Sequence, residues 1–292
     1  MSEGRRWALI LHGGAKTIPL GQHAAHRRGC LSALNPGIEI LALGGSALEA
    51  AEAVVRALED DGAFNAGYGS VLNADGQIEC DAAVMEGAGL MAGGVAAVSR
   101  IRNPISTAVA MLPDAAVLVV GEGAHRFAEE KSQVMCRPED LMASSSHEAT
   151  GCDTVGCVAL DDQGLIIAAT STGGLSGSRA GRVGDAPIPG CGLYADNAVG
   201  GVAFSGDGES IIRLALAGRL MTTLETQSPD AAIADALARL ERVGGEAGAI
   251  VIDVAGRIGW GHSSDHFAVA FAASDLAPQA HLDRQHAPGG NL

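Results

Sequence analysis

Lysine is almost missing from this sequence: Lys16 and Lys131 are the only two, and no basic run exceeds two residues. Acidic side chains outnumber Lys plus Arg 34 to 19, for a formal net charge of −15. Binding to a phosphate backbone rests on clustered lysine and arginine, so nucleic acid and anionic membrane surfaces are not expected as partners. Also absent is any uninterrupted apolar stretch of about 18 residues that could span a bilayer. The apolar run after Arg5-Arg6 is only Trp7 to Leu11, too short for the core of an export signal or a twin-arginine leader. No C-x-x-C pair occurs among Cys30, Cys80, Cys136, Cys152, Cys157 and Cys191. They read as reduced thiols, and the cytoplasm is the expected compartment. There is no internal repeat with a period of roughly 20 to 50 residues, which excludes solenoids. No G-x-S-x-G elbow occurs either, which excludes the α/β-hydrolases despite His12-Gly13-Gly14.

Glycine is abundant instead, at 41 residues, about twice the usual share, and it punctuates apolar segments without forming tracts. With 47% hydrophobic and 18% charged residues the composition is globular, and the length suits one large or two ordinary domains. Trp7 to Leu11 predicts a buried strand closed by a tight turn at His12-Gly13-Gly14. Ser46-Ala47-Leu48-Glu49 is a capping box opening an amphipathic helix, with Leu48, Ala51, Val55 and Leu58 on one face, that ends near Gly62. Its last turn carries Glu59, Asp60 and Asp61, the wrong sign for that end of a helix dipole. A solvated acidic turn is the simpler explanation, and a cation held by the neighbouring loop is the alternative.

Gln77 to Met85 and Ala115 to Val120 read as strands, the second leading through Gly121-Glu122-Gly123 into a helix that reaches Lys131. Residues 138–153, with Ser144, Ser145 and Ser146, read as an exposed flexible linker. Beyond it, Thr154 to Leu160 and Leu165 to Thr170 give one hairpin signal, and Ala249 to Ile252 with Arg257 to Trp260 give a second. Between them fall a helix after Gly206-Asp207-Gly208, with Ile211, Leu214, Ala215 and Met221 on a face, and another from Ser228-Pro229 to Gly244-Gly245. Clustered strands with hairpins favour antiparallel sheets covered by helices, an α+β fold, over a doubly wound parallel sheet.

Two motifs promise chemistry that their context does not support. A dinucleotide fingerprint at Gly121-Glu122-Gly123 would need a third glycine where Arg126 stands, so a plain strand-to-helix turn is expected. His262 and His266 have metal-like spacing, but they precede a strand-like Phe267 to Phe271 and do not share a helix. The segment from Asp153 to Asp185 is different. It holds Asp153-Thr154-Val155-Gly156, Thr170 to Gly174 and Gly181-Arg182-Val183-Gly184-Asp185. An Arg and an Asp three apart, isolated by glycines, suit a small zwitterion: the guanidinium fork takes a carboxylate and the Asp an ammonium. Gly206-Asp207-Gly208 adds backbone N–H groups suited to an oxyanion. The residues alone thus point to an amino-acid-like ligand.

These blocks, with His12-Gly13-Gly14-Ala15, Phe64-Asn65-Ala66-Gly67, Asp81-Ala82-Ala83-Val84-Met85 and Tyr194-Ala195-Asp196-Asn197, resemble those of the plant-type asparaginase and isoaspartyl peptidase family. These are N-terminal nucleophile hydrolases related to glycosylasparaginases, and the matching blocks span nearly the whole chain. The resemblance implies a four-layer αββα sandwich of one domain. It also implies a precursor that cuts itself between Asp153 and Thr154 into an α subunit, residues 1–153, and a β subunit, residues 154–292. The freed α-amine of Thr154 would act as base for its own hydroxyl. Such an amine titrates near roughly 7.7–8.0, so a usable fraction is neutral at physiological pH.

By the same resemblance Thr172 orients the nucleophile, and Arg182 binds the substrate α-carboxylate. Asp185 and the Gly208 backbone bind its α-ammonium, Ser205 and the Gly206 amide stabilise the oxyanion, and Asn65 assists close by. No cofactor is implied for catalysis. A structural sodium ion is implied, held by backbone carbonyls in the loop containing Leu58, Glu59, Phe64, Ala66 and Tyr68. The expected assembly is a dimer of αβ units, and the expected partner is a small amino-acid or dipeptide substrate.

The activity so implied is hydrolysis of L-asparagine and β-aspartyl dipeptides to L-aspartate through an ester on Thr154. Ser205 replaces the family's usual threonine, keeping the hydroxyl with a freer rotamer. Asp153 stands where glycine is usual, after a shorter linker. Aspartate there is the habit of glycosylasparaginases, which makes a glycosylated asparagine the alternative substrate. Asn35-Pro36-Gly37 interrupts what should be an early helix and predicts a kink or break. The reading from another class is a non-catalytic amino-acid-binding protein in which Thr154 never becomes a terminus.

Overall fold

The computed structural model describes residues 6–143 and 154–283. The first half contributes β1 (Ala8–Lys16), α1 (His23–Ala42), α2 (Ala47–Glu59), β2 (Cys80–Glu86), β3 (Met91–Val98), α3 (Pro104–Met111), β4 (Leu118–Val120) and α4 (Gly121–Glu130). After residue 154 come β5 (Val155–Leu160), β6 (Ile166–Thr172), β7 (Leu193–Asp196), β8 (Gly200–Gly206), α5 (Gly208–Leu214), α6 (Leu216–Leu224) and α7 (Pro229–Ala238). The chain then returns through β9 (Ala247–Asp253), β10 (Ile258–His262), β11 (His266–Ala273) and β12 (Leu276–His281).

Eight strands form one sheet in the order β12-β11-β1-β5-β6-β2-β3-β4, and four form a second in the order β10-β9-β8-β7. Within these sheets only β3 and β4 pair in parallel. The fold is therefore mixed α+β with antiparallel sheets. Strand β1 shows how both faces of the large sheet are buried. Leu9 and Leu11 join Leu34, Val54 and Leu58 in a core under α1 and α2. Ala8 and Ile10 point the other way, to Val158, Ile166, Ala203 and Ile250 between the sheets. Period-two alternation in an entirely apolar strand serves two cores at once. A third core, with Phe204, Leu220, Ile233 and Val251, lies between the small sheet and α6 and α7.

Both expected hairpins form, β5 with β6 and β9 with β10. The capping box at Ser46 is made in both directions. Ser228 caps α7 through the Ala231 N–H, but the α-helix ends at Ala238 and a 3-10 turn, Arg239–Arg242, completes the run. The strands expected from Gln77 and Ala115 are shorter, beginning at Cys80 and Leu118.

Several expectations are corrected. His12-Gly13-Gly14 does not end the first strand; β1 continues to Lys16 with a register shift against β11 between His12 and Ala15. Gly14 absorbs that bulge at φ 106°. Helix α1 runs unbroken through Pro36. It packs against β1, β11 and α2, and tertiary burial outweighs the one backbone bond that Pro36 removes. The helix expected after Gly208 is two, divided at Ala215, which has φ 49°. Where the linker was expected to begin, Pro138–Leu141 forms a 3-10 turn with Leu141 buried. Residues 144–153, including Asp153 and hence the expected scissile bond, lie outside the described residues. Among those described, no helix is long and apolar enough to cross a membrane.

Candidate active site

Thr154 immediately precedes β5 and is 4% exposed. The β5–β6 ladder pairs Val155 with Ser171, so one further step sets Thr154 opposite Thr172, the last residue of β6. Thr172 is equally buried, and its Oγ1 accepts the Gly174 N–H at 3.3 Å. Asn65 builds the turn that follows. Its carbonyl accepts the Gly173 N–H at 2.7 Å and its Nδ2 donates to the Gly174 carbonyl at 2.8 Å. A β-carbon at Gly173 would lie 2.3 Å from Asn65 Oδ1, which makes glycine obligatory there. Asn65 therefore shapes the Thr172 turn.

On the other side of Thr172, its ladder partner is Asp81 in β2. Asp81 is almost fully buried and accepts N–H groups from Ala97 and Gly184, which ties the Gly181–Asp185 turn to the sheet. Burial raises its carboxyl to about 7. A second tie comes from Thr170, whose Oγ1 donates to the Ala186 carbonyl at 2.7 Å. These bonds bring Arg182 and Asp185 to the end of β6.

Asp185 is 3% exposed, and its Oδ2 has no hydrogen-bond partner among the described residues. Burial pushes its carboxyl up to about 7, against the pull of its own backbone N–H and of Arg182. A β-carbon at Gly208 would sit 2.9 Å from both Asp185 Oδ1 and Arg182 Nη2, so the helix start closes directly over this pair. Strand β8 leads into that start. Gly206 ends it at φ 149°, and a β-carbon there would come within 2.2 Å of the Glu246 carbonyl. Ser205, fully buried, accepts the Ala15 N–H at 3.0 Å, which orients its hydroxyl and links β8 to β1.

From β1, His12 closes the circuit. It pairs with Gly156 in β5, and its ring lies close to the Thr154 backbone without a well-formed hydrogen bond. Burial lowers it to about 3, so it is a neutral imidazole. Thr154, Thr172, Arg182, Asp185, Ser205, Gly206 and Gly208 thus lie on one continuous circuit of contacts. It offers a hydroxyl, N–H donors, a cation and a buried carboxyl with one oxygen lacking a hydrogen-bond partner among the described residues.

Two participants escape sequence reasoning. Asp81 opens the Asp81-Ala82-Ala83 block, yet only the ladder shows that it faces Thr172. Glu209 follows Gly208 and forms a two-pronged bridge to Arg182, from Nε at 2.9 Å and Nη2 at 2.8 Å. The acidic end of α2 is also corrected. Glu59 is not solvated; it is fully buried, accepting from Ser171 Oγ at 2.7 Å and the Ile105 N–H at 3.0 Å. Asp60 meets Arg102, and Asp61 caps the Ala63 N–H.

The loop beyond is the one expected to hold a sodium ion. The Tyr68 N–H folds back to the Glu59 carbonyl at 2.7 Å, and Gly67 and Gly69 turn the chain at positive φ. At the other sequence candidate, His262 Nδ1 meets the Ser264 carbonyl and His266 Nδ1 accepts the Ile18 N–H, so each ring makes its own local bond.

The asparaginase family matches residues 5–150 and 131–282 of this chain. The isoaspartyl peptidase/L-asparaginase of Xenopus laevis is 40% identical over 266 residues, covering 85% of this chain and 86% of its own. Proteins of the same name in Bos taurus and Danio rerio are 38% identical over 284 and 264 residues. Those alignments cover 90% and 84% of this chain and 92% and 85% of the relatives. With the site geometry and these matches together, the chain belongs to the asparaginase family, whose members include isoaspartyl peptidase/L-asparaginases.

Proposed function

We propose that the chain is a self-processing amidohydrolase, an isoaspartyl peptidase/L-asparaginase that releases L-aspartate from L-asparagine and β-aspartyl dipeptides. The reading rests on one observation above all: buried Thr154 starts β5 opposite Thr172, on the same circuit of contacts as Arg182 and Asp185. Cleavage of the Asp153–Thr154 bond frees the Thr154 amine, which takes the proton of its own hydroxyl. The Oγ attacks the side-chain carbonyl carbon of the substrate while Ser205 and the Gly206 N–H receive the developing oxyanion. Collapse expels ammonia or the dipeptide amine, and water then hydrolyses the β-aspartyl ester to return the threonine. Arg182 takes the α-carboxylate, and Asp185 with the Gly208 backbone takes the α-ammonium. Only the aspartyl half is gripped, so one site serves both substrate types. The names of the relatives speak against a glycosylated asparagine as the substrate.

The same reading stacks the elements as four layers, helices α1–α3, the large sheet, the small sheet, then α6 and α7, and pairs αβ units as a dimer. The cation loop near Phe64 and Ala66 has a structural role in it, without a part in the chemistry. Buried free thiols at Cys30, Cys80 and Cys157 accord with a reducing cytoplasm. Intact-mass spectrometry after incubation at neutral pH tests the proposal. Two fragments, the second beginning at Thr154, are expected. They should co-purify, because β1 lies between β11 and β5 and would leave the fragments interlocked. Thr154→Ala should remain a single chain without hydrolase activity. A wild-type chain that stays whole would favour a binding protein.

A further inference from the structure

Arg182 carries five N–H donors, and Glu209 takes the Nε–Nη2 edge with two nearly parallel bonds. Such a fork fixes the plane of the guanidinium as well as its position. The backbone bounds the group elsewhere: β-carbons at Gly184 and Gly208 would lie 3.0 Å from Nη1 and 2.9 Å from Nη2. Glu209 occupies the first turn of α5 directly after Gly208, so one short segment closes over the ammonium-binding side and clamps the carboxylate-binding side. The bridge also holds the Glu209 carboxyl below its usual range. The Glu209 side chain is 57% exposed and that of Arg182 is 16%. A pair with one partner this exposed adds little to folding stability, so support of the fold is a weak reason for it to be there.

We propose that Glu209 is a positioning residue: it holds the Arg182 guanidinium in one orientation for the substrate α-carboxylate, and it does not touch substrate itself. This rests on the role assigned above to Arg182. Without the clamp the long side chain has to be ordered at each binding event, which weakens the grip on the carboxylate and leaves the ammonium grip at Asp185 alone.

The test compares L-aspartate with β-alanine, the same molecule without its α-carboxylate, by calorimetry on matured wild-type protein and on Glu209→Ala, Glu209→Gln and Glu209→Asp. L-Aspartate binding should weaken about three- to tenfold in Glu209→Ala, the scale set by ordering one long side chain. β-Alanine binding should not move. For L-asparagine, KM should rise by the same factor with kcat retained, and Glu209→Asp should fall between wild type and Glu209→Ala. If Glu209→Ala does not mature, the near-isosteric Glu209→Gln gives the reading. Equal weakening of both ligands, no change in either, or loss of kcat at constant KM overturns the inference. Wild-type protein that binds neither ligand overturns the site reading beneath it, a result recognisable without any variant.

Discussion

In the proposed site, Asp185 sets the pH range over which a substrate ammonium is taken. Burial raises its carboxyl to about 7, so the carboxylate is lost as pH falls through that value. KM for L-asparagine should therefore climb below about pH 7, approaching tenfold per pH unit. In the same proposal the Thr154 amine acts on kcat, so the two titrations should separate in a pair of pH profiles. Asp185→Asn should raise KM at neutral pH and flatten its acid limb, whereas Asp81→Asn should keep the limb and move it to lower pH, because the Asp81 charge helps to raise Asp185. Stability has the opposite sign. The folded protein holds the Asp185 proton more tightly than the unfolded chain does, so this carboxyl costs stability as pH rises from about 4 through about 7. At this scale the motifs singled out Thr154, Arg182 and Asp185, and the fold brings Thr154 to the start of β5 and Arg182 and Asp185 into the turn tied to β2 and β6. Sequence reasoning was silent on Glu209, gave Asp81 no role and read Glu59 as solvated or beside a cation, since an acidic residue shows its partner only when the fold supplies Arg182, Gly184 or Ser171.

Elements that obey local rules were legible, and those that break them were not. The Ser46 capping box and the β5–β6 and β9–β10 hairpins depend on neighbours in sequence, and all three formed as expected. Pro36 and Ala215 show the reverse. Proline should interrupt a helix, yet α1 is held continuous through it by its packing, while alanine should continue one, yet the chain breaks there. Ala215 takes φ 49° so that Ile211 and Leu214 on α5 and Leu216 and Leu220 on α6 can all enter the same core. An L-residue in that region costs roughly 1–2 kcal/mol, and the Ala215 side chain is exposed with little packing to lose. Ala215→Gly should therefore raise stability by about 1 kcal/mol. The measurement is a urea titration of the uncut Thr154→Ala chain, where unfolding is not complicated by separation of the fragments.

For the whole molecule, the excess of glycine marks where layers touch. A β-carbon at Gly201 would meet Val158 Cγ1 at 2.8 Å and Ile166 Cγ2 at 2.9 Å across the space between the sheets. At Gly156 it would lie 2.4 Å from His12 Nε2, and at Gly248 2.7 Å from the Phe267 ring. Gly201 and Gly248 thus set the distance of β8 and β9 from β5, β6 and β11 in the large sheet, while Gly156 makes room for the His12 ring of its neighbour β1. Composition alone could count these glycines, but it could not distinguish them from Gly123, which lies in α4 with nothing within 4 Å of its β-carbon position. The two kinds should respond oppositely to the same change. Gly123→Ala should stabilise the uncut chain by about 0.5–1 kcal/mol through helix propensity. Gly201→Ala should cost about 1–3 kcal/mol by overpacking the sheet interface. Because that cost falls on the inter-sheet spacing, Gly201→Ala in the otherwise wild-type chain should also slow cleavage before Thr154, read as the fraction of uncut chain over time. Unchanged stability and processing in Gly201→Ala would mean that the sheets can move apart without disturbing the site.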